Sequence, residues 1–152
     1  MNKATQNTVN LADVNVLVYA FDEEAHDHSR YLDWLSGVLG ARRPFALVDT
    51  VLTGFVRVVT NPRIFEHPAR TSEALSFVDG IIESTASVWL QSDRAAWNGL
   101  GALVEDDPTI RGTHIPDAYL AALAIANGAR LATADRGFAR YPGLDWFDPA
   151  KS

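Results

Sequence analysis

Short runs of consecutive hydrophobic residues alternate along the chain with longer stretches in which hydrophobic positions recur every three or four residues. Short apolar runs are typical of buried strands, and the longer spacing is typical of amphipathic helices. The runs predict strands at TVNLA, PFALV, ASVWLQ and ARLATA, with LDWF as a short edge strand. This alternation predicts an α/β fold, a parallel sheet with helices on both faces, in a single domain over residues 1–152.

Helices are predicted between these strands. The clearest spans DTVLTGFVRVVT, in which hydrophobic residues recur at helical spacing: Val51, Leu52, Phe55, Val56 and Val59. Thr71 or Ser72 ahead of acidic residues predicts a capping box at the start of TSEALSFVDGIIES. The other predicted helices are VNVLVYAF, RYLDWLSGVLG, DRAAWNGLGALVE and DAYLAALAIANG.

Carboxylates stand where the predicted strands end. Asp13, Asp49 and Asp135 each follow a strand directly, and ligands of open α/β sheets bind outside the carboxyl ends of the strands. Thr133 and Asp135 are two residues apart, so strand alternation directs both side chains the same way. Asp117 opens an alanine-rich helix that is expected to lie tightly against the sheet, with the carboxylate at the same edge.

Each of these acids has a simpler interpretation as a helix N-cap, because Asp is favoured there and suits the positive end of the helix dipole. That interpretation weakens when several acids converge, since like charges held together raise one another's pKa and destabilise the fold. A carboxylate cluster at one sheet edge therefore indicates a bound cation. All-oxygen ligands suit Mg²⁺ or Mn²⁺.

Composition narrows the function classes. The formal net charge of -6 disfavours a plain nucleic-acid coat, although an acidic enzyme can act on a polyanion when metal ions neutralise its pocket. Both lysines, Lys3 and Lys151, lie near the termini, so the lysine of a phosphoacceptor receiver domain is missing, as is a phosphate-binding loop ending in Gly-Lys-Ser/Thr. The chain has no cysteine, no stretch of the roughly 20 apolar residues needed to span a membrane and no signal-peptide layout. A cytoplasmic protein without a membrane partner is expected.

Four segments, LADVNVLVYAF, FVRVVTNPRIF, IPDAYLAALAIANGARLATADRGF and YPGLDWFDP, resemble the PIN-domain ribonucleases, specifically the toxin subunits of VapBC-type toxin–antitoxin modules. The resemblance covers nearly the whole chain in the right order. It implies a PIN-like domain with a five-stranded parallel sheet and an endoribonuclease that depends on Mg²⁺ or Mn²⁺. By position, Asp13, Asp117 and Asp135 match the metal-binding and catalytic aspartates of the family, and Thr133 matches a residue that assists the metal site.

The resemblance also implies partners. We expect an RNA substrate, whose phosphodiester bonds are hydrolysed by a metal-activated water, a cognate antitoxin protein and a homodimer. Asn15, Thr133, Arg57 and Asp49 are candidates for supporting the metal ligands or contacting the substrate. Arg57 could equally form a surface ion pair.

One position departs from the family pattern. Gly54 stands in the helix where the family usually has a glutamate, and Gly costs about 1 kcal/mol relative to Ala in a helix interior. Asp49 lies five residues earlier on a different helical face and is a poor substitute. The alternative function is therefore a catalytically weakened PIN-like module that binds RNA or protein. His26 and His28 are not accompanied by a further His or Cys ligand. We therefore favour their interpretation as polar residues at the start of a helix over zinc binding.

Overall fold

The computed structural model of the protein describes residues 8–151. Five parallel strands form one sheet, and they are β1 (Val9–Ala12), β2 (Phe45–Leu47), β3 (Ser87–Trp89), β4 (Ala129–Ala132) and β5 (Asp145–Phe147). The α-helices are α1 (Val14–Phe21), α2 (His28–Leu39), α3 (Asp49–Val59), α4 (Thr71–Ile82), α5 (Arg94–Asp106) and α6 (Ile115–Ala126). Two 3₁₀ helices span Gly112–His114 and Arg136–Arg140. The predicted α/β fold with a five-stranded parallel sheet is confirmed.

The order of the strands places a crevice at the centre of the sheet. The order is β3-β2-β1-β4-β5, so the chain moves outward from β1 to β3 and then crosses back to β4. Because crossovers between parallel strands are right-handed, this reversal puts α1 to α4 on one face and α5 and α6 on the other. The crevice where the direction reverses lies at the carboxyl ends of β1 and β4, which is where such sheets bind ligands.

The central strands and α6 pack closely because their side chains are small. Ala12 of β1 is paired with Ala132 of β4, and both are buried. Four alanines of α6 are at most 1% exposed, at positions 118, 121, 122 and 124. This helix contacts β4 and α5, in agreement with the tight packing that its composition predicts.

Aromatic rings tie α1, α3 and α4 together on the opposite face. The ring centroids of Phe21 and Phe55 are 5.4 Å apart, those of Phe21 and Phe77 are 5.2 Å apart, and those of Phe55 and Phe77 are 5.1 Å apart. Phe55 is fully buried. The three rings therefore set how α3 and α4 sit against the first helix of the site.

Several local predictions were wrong. Strand β4 ends at Ala132, not at residue 134, because the chain turns out of the sheet after the Thr133 amide donates to the carbonyl oxygen of Phe147. Thr133 and Asp135 therefore lie outside the strand, and strand alternation does not determine the direction of their side chains. No capping box forms at α4, since Arg70 precedes its first residue and makes no side-chain cap. Within residues 8–151, the helices are too short or too polar to cross a membrane.

Replacing Phe55 tests the aromatic contact. Phe55→Ala is expected to lower the free energy of unfolding by about 3–5 kcal/mol, because a buried ring is lost and a cavity is left. The control is Trp97→Ala, since Trp97 is 61% exposed and surface changes usually stay within about 0.5 kcal/mol. Urea denaturation measures both, and equal losses would contradict the role assigned to the three rings.

Candidate active site

Asp13 is held at the carboxyl end of β1 with both of its carboxylate oxygens engaged. Its side chain is the N-cap of α1, with Oδ1 accepting from the Val14 amide at 2.8 Å. Its own amide donates to the carbonyl oxygen of Ala132 at 2.9 Å, which continues the pairing of β1 with β4. Asp13 is only 8% exposed, so a charged group is held at the inner end of the crevice. The capping prediction and the sheet-edge prediction therefore both hold for this residue.

Thr133 and Asn15 connect the ends of β1 and β4 through side-chain hydrogen bonds. The Thr133 hydroxyl is fully buried, donates to Oδ2 of Asp13 at 2.9 Å and accepts from the Asp135 amide at 3.0 Å. Asn15 donates through Nδ2 to the same Asp13 oxygen at 3.2 Å, and its Oδ1 accepts from the Ala134 amide at 3.2 Å. These bonds hold the loop that carries Asp135 against the start of α1.

Asp117 and Asp135 reach the same region from different elements. Asp135 is exposed and folds back so that Oδ1 accepts from the Gly137 amide at 2.8 Å. A Cβ at position 137 would lie 2.9 Å from that oxygen, so a larger residue there would displace the Asp135 carboxylate. Asp117 lies in the first turn of α6, directly after Pro116. Within residues 8–151, its carboxylate has no hydrogen-bond partner, which leaves its oxygens available to a ligand.

The three aspartates line one cavity of about 380 Å³, together with Asn15. An apolar wall faces them, formed by Val14, Val18, Tyr19, Val58, Ile64 and Phe65. Sequence reasoning did not identify this wall, because hydrophobic residues on helical faces look the same whether they pack in the core or border a site. Ile64, which follows the proline-containing break after α3, is 56% exposed. No Lys or Arg lines the cavity among the residues that the structure describes.

Burial and neighbouring charge raise the pKa values of Asp13 and Asp117. Burial is the main cause that raises the pKa of Asp13 to about 6, hydrogen bonds from Thr133 and Val14 oppose it, and the charges of Asp117 and Asp135 add to it. The pKa of Asp117 is also raised, mainly by burial and then by the charge of Asp135, while His114 lowers it. The three carboxylates thus repel one another across a shared space. The sequence offered no indication that His114 lies near Asp117, because His114 belongs to no recognised motif.

This donor set suits a hard divalent cation. Every candidate donor is a carboxylate, hydroxyl or amide oxygen, which Mg²⁺ and Mn²⁺ prefer, and the mutual repulsion of the acids would be relieved by positive charge. In the side-chain arrangement of residues 8–151, no three acidic or imidazole groups converge on a single point. The Asp135 carboxylate accepts from the Gly137 amide, and the Asp13 carboxylate is engaged by Val14 and Thr133. Shared ligation by all three acids stays a prediction.

Two of the remaining candidates lie outside the cavity wall. Asp49 is exposed and is the first residue of α3, with Val48 as the N-cap, and its Oδ1 accepts from the Thr50 amide at 2.8 Å. Arg57 is exposed and has no ion-pair partner among the described residues. Neither side chain lines the 380 Å³ cavity.

The histidine pair does not gather ligands for zinc. Nδ1 of His26 lies 2.9 Å from Oδ2 of Asp27, and Nδ1 of His28 lies 2.8 Å from the carbonyl oxygen of Tyr19. His28 opens α2, so the pair belongs to the entry of a helix, as expected. The Asp27 side chain makes no cap there, and Asp27 itself has a φ of 60°.

Gly54 packs against the helix that Asp13 caps. A Cβ at position 54 would lie 3.0 Å from Cγ2 of Val14, closer than an ordinary van der Waals contact. Val14 follows Asp13 directly and lines the same cavity. Position 54 therefore contacts the start of α1, and Val14 fills the space beside it.

Comparison with known proteins assigns the family. The sequence profile of the PIN domain matches residues 11–144. The VapC ribonuclease Mb2897 of Mycobacterium bovis and the ribonuclease VapC43 of Mycobacterium tuberculosis are each 39% identical over 137 residues, covering 90% of this chain and 92% of the relative. The chain therefore belongs to the PIN-domain family, as its sequence motifs indicated.

Solved structures agree at the level of the fold. A chain in the crystal structure of VapBC2 from Rickettsia felis, bound to a DNA fragment from their promoter, superposes with a TM-score of 0.67 at 20% identity. The superposition covers 93% of this chain and 98% of that one. A chain of VapBC-1 from nontypeable Haemophilus influenzae gives 0.64 at 14% identity, with 93% and 98% covered.

The buried carboxylate should make stability depend on pH in the absence of divalent metal. The pKa of Asp13 rises from an ordinary 3.8 to about 6 in the folded protein, so the folded state keeps this proton after the unfolded state has lost it. The contribution of Asp13 to the free energy of unfolding therefore falls as pH rises from about 4 to about 6, by about 3 kcal/mol in all.

Comparison with Asp13→Asn isolates the Asp13 site, because the acids outside the cavity are the same in both proteins. The free energy of unfolding of Asp13→Asn minus that of the wild type should increase between about pH 4 and about pH 7.5. Urea titrations in EDTA at each pH measure the difference. A difference that does not change with pH would show that Asp13 titrates normally in the folded protein.

Proposed function

We propose that this PIN-domain protein is a divalent-metal-dependent endoribonuclease that acts as the toxin of a toxin–antitoxin pair. The observation that carries the proposal is the cavity that Asp13, Asp117 and Asp135 share, which no Lys or Arg lines among the described residues. The relatives named VapC ribonuclease, at 39% identity, support the reaction class. Neighbours solved as VapBC complexes support an antitoxin partner. The functional unit is the single domain of residues 1–152, and we propose that it forms a homodimer.

The acids of the cavity would hold Mg²⁺ or Mn²⁺. Asp117 offers carboxylate oxygens without a competing hydrogen bond, and Asp13 is ionised above about pH 6. A bound cation supplies a Lewis acid that activates water and stabilises negative charge on the phosphate oxygens. Thr133 and Asn15 keep the Asp13 carboxylate in one orientation through their hydrogen bonds. Asp135, the most exposed of the three acids, would orient the attacking water.

The acidic cavity can accept a polyanionic substrate such as RNA only when a bound cation reduces its negative charge. Three uncompensated carboxylates would repel a phosphodiester, so the charge of the site must be reduced before RNA can approach. Arg57 is exposed and unpaired among the described residues, and it is a candidate for contacting the RNA backbone. Arg140 is a weaker one, because it donates to Oδ2 of Asp107 at 2.8 Å and to the hydroxyl of Thr109 at 2.8 Å. An antitoxin that inserts a basic side chain among the acids would compete with the metal.

Cleavage of a panel of structured RNAs tests the proposal. Purified protein should cleave RNA with Mg²⁺ or Mn²⁺ and stop when EDTA is added. Asp13→Asn and Asp117→Asn should each lower the rate by about a hundredfold or more, because metal stabilisation of the transition state is worth several kcal/mol. Asp79→Asn, an exposed acid of α4 outside the cavity, is the control and should leave the rate unchanged.

Thermal melting supplies a readout that does not depend on activity. Metal that binds only the folded state adds about 2.7 kcal/mol at a hundred times its Kd. Wild type and Asp79→Asn should therefore melt at a higher temperature with millimolar Mn²⁺ than with EDTA, and Asp13→Asn should lose much of this gain. If EDTA changes neither the rate of RNA cleavage nor the melting temperature, the proposal is contradicted. If the protein binds RNA without cleaving it, a non-catalytic binding module is favoured.

Introducing the family glutamate should lower activity. Gly54→Glu places a β-carbon 3.0 Å from Cγ2 of Val14, so the Val14 side chain must give by a few tenths of an ångström, and the added carboxylate lies beside the residue that follows Asp13. We therefore expect weaker Mn²⁺ binding and slower RNA cleavage, despite a gain of up to about 1 kcal/mol in helix propensity. Gly80→Glu in α4, where an added Cβ meets no atom within 4 Å, is the matched control. Tighter metal binding and faster cleavage by Gly54→Glu would show that the site can use a fourth acid.

A further inference from the structure

The loop between α5 and α6 forms a concave surface of about 660 Å³, which we call the loop surface. Its lining residues are Pro108, Thr109, Arg111, Gly112, Thr113 and His114. Within residues 8–151, no Asp or Glu lines it. The loop surface is therefore opposite in chemistry to the cavity of the three aspartates, which no Lys or Arg lines among the described residues.

Arg111 and His114 give the loop surface its basic character. Both are exposed, and among the described residues neither side chain forms a hydrogen bond or an ion pair. An arginine presents several N–H donors in a fixed plane that matches the oxygens of a phosphate group. A basic side chain that the fold leaves unpaired keeps those donors available to an anionic ligand.

The loop that carries these residues is held in place before anything binds. Arg140 donates to Oδ2 of Asp107 at 2.8 Å and to the hydroxyl of Thr109 at 2.8 Å, and the Thr109 amide donates to Oδ1 of Asp107 at 3.1 Å. Ile110, in the middle of the loop, is buried. A preformed surface lowers the ordering cost of binding.

The same contacts engage the acid nearest to the loop surface. The pKa of Asp107 is lowered to about 2, first by the hydrogen bond from the Thr109 hydroxyl and then by the one from Arg140. The charge of Asp107 is thus paired with Arg140, whereas Arg111 and His114 have no such partner. The acid therefore does not compete for the two free basic groups.

The loop surface borders two of the three aspartates of the catalytic cavity. His114 ends the 3₁₀ helix that leads into α6, and Asp117 lies three residues further on, in the first turn of α6. The charge of His114 lowers the pKa of Asp117, so the two side chains are close enough to interact. On the other side, Arg140 ends the 3₁₀ helix that Asp135 caps. A polyanionic chain that leaves the acids on this side meets the loop surface next.

We propose that the loop surface binds the RNA backbone beside the scissile bond, with Arg111 and His114 contacting the phosphate oxygens of the neighbouring nucleotides. The inference rests on the proposed ribonuclease function and adds a substrate subsite to it. The metal-holding acids act on the scissile phosphate, and the loop holds flanking phosphates that those acids would repel. Because phosphate contacts carry no sequence information directly, the loop fixes the position of the RNA and not the choice of base.

Two measurements on Arg111→Gln and His114→Gln test the inference. Fluorescence anisotropy with a labelled single-stranded RNA gives Kd values at several salt concentrations, in an Asp13→Asn background with Mg²⁺ so that the RNA stays intact. Steady-state cleavage by the otherwise wild-type chain gives kcat and KM. The matched controls are Arg42→Gln and His26→Gln, which change the same residue types at exposed positions outside both cavities.

Arg111→Gln should bind RNA about fivefold more weakly, as expected for the loss of one exposed contact between opposite charges. The slope of the logarithm of the binding constant against the logarithm of salt concentration should become shallower by about 0.7, the value for one phosphate contact with a single strand. His114→Gln should also weaken binding. For both variants KM should rise while kcat stays unchanged, because the contact is equal in the ground state and the transition state. The rise in melting temperature with Mn²⁺ should be unaffected by Arg111→Gln.

Kd values and salt slopes equal to those of the controls would overturn the inference and leave the ribonuclease assignment standing. A fall in kcat at unchanged KM and Kd would also overturn it, since the two residues would then act on the chemical step. The result for the proposed function is separate: a protein that binds RNA through Arg111 and His114 but cleaves none refutes the ribonuclease assignment and supports the loop surface.

Discussion

The burial of the Asp13 carboxylate between the ends of β1 and β4 is the constraint on which the rest of the site depends. An ionised carboxylate at 8% exposure is costly, and the structure offsets the cost with hydrogen bonds from the Val14 amide and the Thr133 hydroxyl. Those bonds require α1 to start directly after β1 and the chain after β4 to turn at Thr133. The loop that leads to Asp135 is fixed by the same hydroxyl.

The remaining unfavourable energy of this arrangement comes from the burial of the Asp13 charge and its repulsion by two neighbouring acids. Burial and the two neighbouring acids keep the pKa of Asp13 at about 6 even after the hydrogen bonds have lowered it. A fold selected for stability alone would place an apolar or neutral group there, since unpaired buried charge destabilises. Perturbed titratable groups gathered in a cleft are typical of functional sites, and here they explain why the site suits a cation.

Close packing elsewhere makes this edge of the sheet rigid. The buried alanines of α6 let that helix approach β4, which brings Asp117 to the crevice from the face opposite α1. The rings of Phe21, Phe55 and Phe77 hold α3 and α4 against α1, which supports the apolar wall of the cavity that the three aspartates line. Gly54 belongs to the same packing, because its missing side chain leaves room for Val14.

The sequence alone determined the order and kind of elements, because hydrophobic periodicity and chain direction decide them locally. It also placed Asp13 and Asp135 at one sheet edge, since carboxyl ends of parallel strands must share an edge, and it placed Asp117 there because the helix that Asp117 begins leads into β4. Its errors concerned the limits of single elements. Strand β4 ends early because the Thr133 amide bonds to the carbonyl oxygen of Phe147, a residue distant along the chain. Helix α4 begins without the predicted side-chain cap.

Only the tertiary structure decided how the acids are supported and what faces them. The hydrogen bond from Thr133 to Asp13 joins residues 120 positions apart in the chain. The apolar wall combines residues of α1 with residues of α3 and of the segment after it. Such groups meet because separate elements pack in one register, and a local pattern of residue types carries no information about which side chains from distant segments will share a surface.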